Sequence, residues 1–319
     1  GIVIDPQTGA IRAMAVSPTF DLNNFGSADG ALFANPLVER VYEMGSIMKP
    51  LTMAAGLDTG AIRPESTYND RGTLTLDGST ISNFDGRARG VVPMQEILSQ
   101  SLNTGVAHIV AQMGKDEFRR YFYRFGVNEE TGIDLPNEAH NLTENLNSPR
   151  DIEYATASFG QGIALSPINM ARALSALPDG YVEQPHIVSK IHSRSGLTHE
   201  YDYSDVREQV LDPQTAEEVT RMLVEVVDKA LANGDVKMEH YSIAAKTGTA
   251  QIASPNGGYY EDRYLHSFFG YFPAYDAKYL VFLMNVEPIG AQYSSQTLTD
   301  PFMDMTQFLI NHYDIPPDR

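Results

Sequence analysis

The chain has 319 residues, 42% of them hydrophobic and 20% charged, the composition of a folded globular protein with length for one large domain or two ordinary ones. The formal net charge is −18 and no basic stretch dominates, which excludes nucleic acid as a partner and requires that an anionic substrate be captured by a local cationic site. Cysteine is absent, so disulfides, thiolate catalysis and zinc–cysteine sites are excluded, and no apolar run reaches the roughly 18 residues that span a bilayer.

The chain opens in what reads as mid-strand, at Gly1-Ile2-Val3-Ile4, with no signal peptide, which predicts a fragment lacking its natural N-terminal part. Ile2–Ile4 and Ile11–Val16 flank the turn-rich Asp5-Pro6-Gln7-Thr8-Gly9 and predict a hairpin. Met48–Asp58 predicts a buried helix, with Met48, Leu51, Ala54 and Ala55 at helical spacing. Met94–Met113 predicts a helical region that Asn103 and Gly105 interrupt. Lys115–Phe125 carries Phe118, Tyr121, Phe122 and Phe125 on one stripe, and Thr215–Leu231 has Val219, Met222, Leu223 and Val226 in phase. These aromatic and Met stripes are read as core, not as cofactor sites.

Strand character returns at Lys246–Ile252, followed by a hairpin of Ser267–Phe272 and Lys278–Val286 joined through Pro273–Asp276. A last helix is predicted over Pro301–Asn311, with Phe302, Met305, Phe308 and Leu309 on one face. Several strands lack crossover helices between them, which favours an antiparallel sheet. The reading is one domain over 1–319, a sheet built from both chain ends with helices inserted between. No internal repeat or low-complexity linker divides it.

Three short motifs carry chemistry. In Ser46-Ile47-Met48-Lys49 the serine and lysine stand three apart, so on a helix they share a face. Gly45 admits an unusual turn, and Pro50 places the helix start near Ser46, with the positive helix end at the hydroxyl. A serine hydroxyl is a poor nucleophile until a base takes its proton. A free lysine is protonated up to about pH 10.4, and it becomes that base only where desolvation or a neighbouring cation depresses its affinity for protons. Ile47, Met48 and Leu51 supply apolar surroundings, and Lys246 would supply the cation.

In Ser101-Leu102-Asn103 the leucine would pack inward, Ser101 would relay a proton to a leaving group, and Asn103 would hold a substrate amide and steady Lys49. Taken alone this pattern is weak, for Ser254-Pro255-Asn256 repeats it in a Pro/Gly turn and such residues commonly cap helices. In Lys246-Thr247-Gly248-Thr249 a strand puts Lys246 and Gly248 on one side and the threonines on the other. Gly248 would let a substrate backbone lie against an edge strand, while Lys246, Thr247 and Thr249 would bind a carboxylate. The N–H groups of Ser46 and Thr249 would form an oxyanion hole. Each motif is weak by itself; their order and wide spacing make the combination specific.

With these motifs the chain resembles the transpeptidase domain of penicillin-binding proteins, of the monofunctional type. The likeness extends to Ile4–Gly9 with Ala13–Pro18, to Tyr42–Ser46, to Asn83-Phe84-Asp85-Gly86, to Ser158–Gly162 followed by Ser166-Pro167, and to Phe269–Ala274. Met44 stands where the family often has proline. The resemblance implies an antiparallel sheet flanked by helices beside a helical lobe, with a cleft between. It implies peptidoglycan D,D-transpeptidation, with Ser46, Lys49, Ser101, Asn103 and Lys246 catalytic and Thr247, Gly248 and Thr249 binding substrate. No cofactor or metal is called for: none of the eight histidines shows metal-ligand spacing. Implied partners are peptidoglycan stem peptides and β-lactams, with a membrane glycosyltransferase and cell-division or elongation proteins. The implied location is the extracytoplasmic face of the bacterial envelope, through an anchor and an additional module outside this chain.

The alternatives share the acylation machinery: a D,D-carboxypeptidase or β-lactamase, in which water replaces the acceptor amine, a non-catalytic β-lactam sensor, or a silent structural domain. Glu138 and Glu144 lie in the region of a deacylating acid but lack its neighbours, which argues against fast hydrolysis.

Overall fold

The computed structural model describes residues 1–203 and 206–319. Both ends of the chain meet in a five-stranded antiparallel sheet, in the spatial order Ala244–Ala253, Tyr259–Phe272, Tyr279–Val286, Ile2–Ile4, Ile11–Met14. Period-two alternation assigns its residues to two cores. Ile2, Ile4, Phe269, Tyr271, Leu280 and Phe282 face the helical body. Val3, Phe268, Phe272 and Val281 face the other way, where Phe302, Leu309 and Ile310 of the last helix cover them.

Both predicted hairpins form; the second pairs Leu265–Phe272 with Tyr279–Val286, and the rest of Tyr259–Phe272 continues beyond it against Ala244–Ala253. The last helix runs over Ser295–His312 with Pro301 inside it. Its buried face is Leu298, Phe302, Thr306, Leu309 and Ile310. Phe308 is exposed and Met305 only partly buried, a correction to the predicted stripe: Phe308 follows Thr306 and Gln307 around the helix and falls on the solvent side.

Between the strand groups the chain is helical. The Lys49–Asp58 helix is buried over its first eight residues and packs against the helices Asn103–Met113, Lys115–Arg124 and Pro213–Glu225. The aromatic stripe Phe118, Tyr121, Phe122 and Phe125 and the aliphatic stripe Val219, Met222, Leu223 and Val226 all lie in the core. The predicted region 94–113 is two helices, Met94–Ser99 and Asn103–Met113. The break falls at Ser101, whose φ is +54°, and not at Asn103 and Gly105. Gly105 lies inside the second helix, where a side chain would strike Ile97 and the Tyr68 hydroxyl. Two small strand pairs precede this break, Thr67–Asp70 with Gly90–Pro93 and Thr73–Leu76 with Ser79–Ser82.

Candidate active site

Ser46 stands in a single 3₁₀ turn, Gly45–Met48, that continues directly into the Lys49–Asp58 helix. Lys49 donates its backbone N–H to the Ser46 carbonyl, so the two side chains leave the same side of one turn. Three glycines let this turn sit against its neighbours. Gly45 has φ +65°, and a Cβ on it would come within 3.0 Å of the Thr249 carbonyl group. A Cβ on Gly160 would lie 2.3 Å from the Gly45 oxygen. A Cβ on Gly248 would lie 2.3 Å from Ser267 Oγ and 3.0 Å from both Ile47 N and Met44 O. The missing side chain of Gly248 therefore lets the Gly45–Met48 turn approach the strand closely.

The Ala244–Ala253 strand lies at the edge of the sheet, paired only on its Tyr259–Phe272 side. Thr247, Thr249 and Gln251 line a cleft of about 880 Å³ that also receives Ser46, Ser101, Asn103 and Lys246. The three motifs thus converge from positions 46, 101 and 246 on one cavity. Lys49 lies fully buried just behind its wall.

The chemistry is concentrated on Ser101. Lys49 Nζ donates to the Ser101 carbonyl at 2.6 Å and to Ser101 Oγ at 3.1 Å. Lys246 Nζ donates to the same Oγ at 3.1 Å and to the Thr247 carbonyl at 3.0 Å. One hydroxyl therefore bridges two lysine amines. The left-handed backbone at Ser101, rare for a residue with a side chain, turns both its carbonyl and its hydroxyl toward Lys49. Burial, then the charge of Lys246, holds the Lys49 amine well below the ordinary lysine value, and burial pushes Lys246 down to about 7. A lysine whose proton is held this weakly is suited to act as a base.

Asn103 does not steady Lys49 as expected. Its Nδ2 donates to the Ser82 carbonyl at 2.8 Å, tying the motif to the Ser79–Ser82 strand at the rim of the cleft. Thr249 Oγ1 accepts from Ser294 N at 3.0 Å, and Ser294 Oγ donates to the Ser267 carbonyl at 2.6 Å. Leu102 is buried, as expected. Ser254 and Asn256 form a turn away from the cleft.

Several residues that frame the cleft were not singled out as site residues from the sequence. Glu43 Oε1 accepts from Gly162 N at 3.0 Å and from the Tyr259 hydroxyl at 3.1 Å, fastening the approach to the Ser46 turn to two cleft walls. Arg89 lines the cleft, with its guanidinium on Asp85 and its Nε donating to Gln100 Oε1 at 2.7 Å. Asp70 is buried and accepts from Thr104 Oγ1 at 2.8 Å and Asn83 Nδ2 at 2.9 Å. The Asn83–Gly86 segment gave a signal through its family likeness. Glu43 lies in the Tyr42–Ser46 segment, which gave the same kind of signal, whereas Arg89 and Asp70 carried none, since a polar partner distant in sequence leaves no periodicity.

The family model for the penicillin binding protein transpeptidase domain matches residues 1–305, a span containing every cleft residue named above. Among curated relatives, stage V sporulation protein D of Bacillus subtilis is 28% identical over 95% of this chain and 47% of its own length. The peptidoglycan D,D-transpeptidase FtsI homolog of Mesostigma viride is 28% identical over 99% of this chain and 57% of its own. The chain spans about half the length of the curated relatives it matches. Among solved structures, penicillin-binding protein 3 of Mycobacterium tuberculosis complexed with aztreonam superposes with a TM-score of 0.89 at 25% identity, covering 100% of this chain and 73% of that one. The transpeptidase domain of penicillin-binding protein 3 from Burkholderia pseudomallei gives 0.82 at 25% identity, covering 100% and 89%. With its motifs gathered in one cleft and its likeness running nearly end to end, the chain belongs to the penicillin-binding protein transpeptidase family.

Proposed function

We propose that the protein is a peptidoglycan D,D-transpeptidase working through an ester on Ser46. The observation that carries this reading is the pair of buried lysine amines, each 3.1 Å from the Ser101 hydroxyl, behind a cleft that holds Ser46. Lys246, with the hydroxyls of Thr247 and Thr249, takes the terminal carboxylate of a stem peptide. Neutral Lys49 accepts the Ser46 proton as Oγ attacks the penultimate D-Ala carbonyl. The N–H groups of Ser46 and Thr249 hold the developing oxyanion. The tetrahedral species collapses by breaking the bond to the terminal D-Ala nitrogen, which receives its proton through Ser101 Oγ. An amine from a second stem then attacks the ester, forming the cross-link and returning the proton to Ser46.

β-Lactams would acylate Ser46 in the same way and leave slowly. The two carboxylates in the region of a deacylating acid are not set to activate water. Glu138 accepts from the backbone N–H groups of Thr131 and Gly132, and Glu144 lies in a short 3₁₀ turn. That favours transfer to an amine over hydrolysis. By the same family reading the domain works on the extracytoplasmic face, with a membrane glycosyltransferase and division or elongation proteins as partners. Among the described residues no helix is long and apolar enough to cross a membrane.

The test has two stages. A fluorescent penicillin should label the wild-type protein covalently and fail to label Ser46→Ala; a labelled mutant rejects the nucleophile. A stem-peptide donor with and without an acceptor amine then separates the outcomes. Hydrolysis that dominates at abundant acceptor rejects transpeptidation in favour of a carboxypeptidase.

A further inference from the structure

The Asn103–Met113 helix touches two cavities. Its first residue, Asn103, lines the catalytic cleft, while Thr104, Ala107, His108 and Ala111 line a second cavity of about 630 Å³ on the other side. That volume lies within the range of sites for small ligands. The second cavity is closed in part by the strands Thr67–Asp70 and Thr73–Leu76 and by the helix Asp151–Ala157. Its walls are largely apolar, with the rings of Tyr68, His108 and Tyr154 beside Leu74, Leu76 and Val110. The Tyr68 and His108 rings stack with centroids 5.5 Å apart at 23°, presenting a flat wall.

The charges on this lining do not balance. Lys115 is paired with Asp151 at 2.8 Å. Burial lowers the proton affinity of His108, which leaves it neutral at pH 7. Arg71 also lines the cavity, and its guanidinium has no hydrogen-bond or ion-pair partner among the described residues. An apolar, ring-walled space with one open cation at its mouth is complementary to a monoanion with an aromatic or aliphatic body.

The second cavity is joined to the catalytic cleft by short bonds. The Thr104 hydroxyl donates to Asp70 Oδ1 at 2.8 Å, and the Thr104 N–H donates to Asn83 Oδ1 at 3.2 Å. Asn83 lines the catalytic cleft, and Asn103 next to Thr104 is held by the Ser82 carbonyl. A ligand that presses on the Thr104 side of the helix therefore acts on the same first turn that presents Asn103 and follows Ser101.

We propose that this second cavity is a binding site for a small amphipathic monoanion, such as an aromatic carboxylate, anchored by Arg71 and coupled through Thr104 to the acylation site. Binding there does not depend on the reaction assigned to the cleft, so it is tested separately. The probe is anilinonaphthalene sulfonate, an aromatic monoanion whose fluorescence rises in apolar surroundings. The wild-type protein should show a saturable site. Arg71→Gln should weaken it roughly tenfold, the loss expected for one charge-assisted contact. Ala111→Phe, a change at an exposed position of the cavity wall, should remove it. At saturating probe, the rate of covalent labelling by a penicillin, read on a gel, should change at least twofold in the wild type and not in Ala111→Phe. Identical binding curves for the three proteins overturn the site. Site-specific binding with an unchanged labelling rate overturns the coupling.

Discussion

Two clusters of charge show what burial does to a basic side chain. On the outer face of the Pro213–Glu225 helix, Arg221 reaches Glu218 at 2.7 Å and Glu225 at 3.2 Å in open solvent. Those carboxylates hold its proton more firmly still. Behind the cleft, Lys49 and Lys246 are buried, and they face one hydroxyl and two carbonyls where Arg221 faces carboxylates. Their affinity for a proton falls instead of rising. Exposed pairs stabilise weakly and do no chemistry, while an unpaired, dehydrated amine is unfavourable for stability and useful as a base.

Replacing members of the two clusters tests that contrast. Lys49→Ala removes the base, and the rate of labelling by a penicillin should fall by about 10²- to 10⁴-fold, the usual contribution of a positioned proton acceptor. A mutant within tenfold of wild type would mean that another group takes the Ser46 proton.

Gly248→Ala should be the next most damaging, with labelling reduced well over tenfold. Its Cβ would lie 2.3 Å from Ser267 Oγ and 3.0 Å from backbone atoms of the nucleophile turn. Forcing those apart costs about 1–3 kcal/mol, measurable by urea unfolding. Full labelling by this variant would show that the turn tolerates displacement.

The pH profile sharpens the contrast further. A base must be neutral to act, so labelling should rise with pH through the depressed lysine range and not near the ordinary value of about 10.4. Lys246→Gln removes the positive neighbour that helps depress Lys49, so the rising limb should move to higher pH. A limb that stays in place, followed by stopped-flow acylation from pH 5 to 10, would remove Lys246 from the tuning of Lys49.

The smallest effect belongs to the surface. Arg221→Gln should change unfolding free energy by less than about 1 kcal/mol and leave labelling unchanged.

Much of this was legible in one dimension. The stripes at Phe118–Phe125 and Val219–Val226 named core residues correctly, because a helix face repeats every three or four positions. The motif lysines, serines and threonines were found by order and spacing, and all but the glycine and the buried Lys49 line one cleft. What failed was local and three-dimensional. The break between the two helices fell on Ser101, whose serine identity does not announce a left-handed backbone. Phe308 kept the period of a core residue yet points to solvent, since the sheet offers the last helix only one face to cover. Asn103 had the right chemistry to steady Lys49 but is turned to Ser82 by a strand more than twenty residues upstream.

The sequence by itself determined the motif residues, their order, the antiparallel character of the sheet and the family, since these follow from residue identity, periodicity and short motifs. The tertiary structure alone decided the sharing of Ser101 by two lysines, the use of Gly248 as a close crossing and the second cavity behind Thr104. Those depend on packing between segments distant in the chain, and packing distance and dehydration are properties of the folded arrangement that no local pattern encodes.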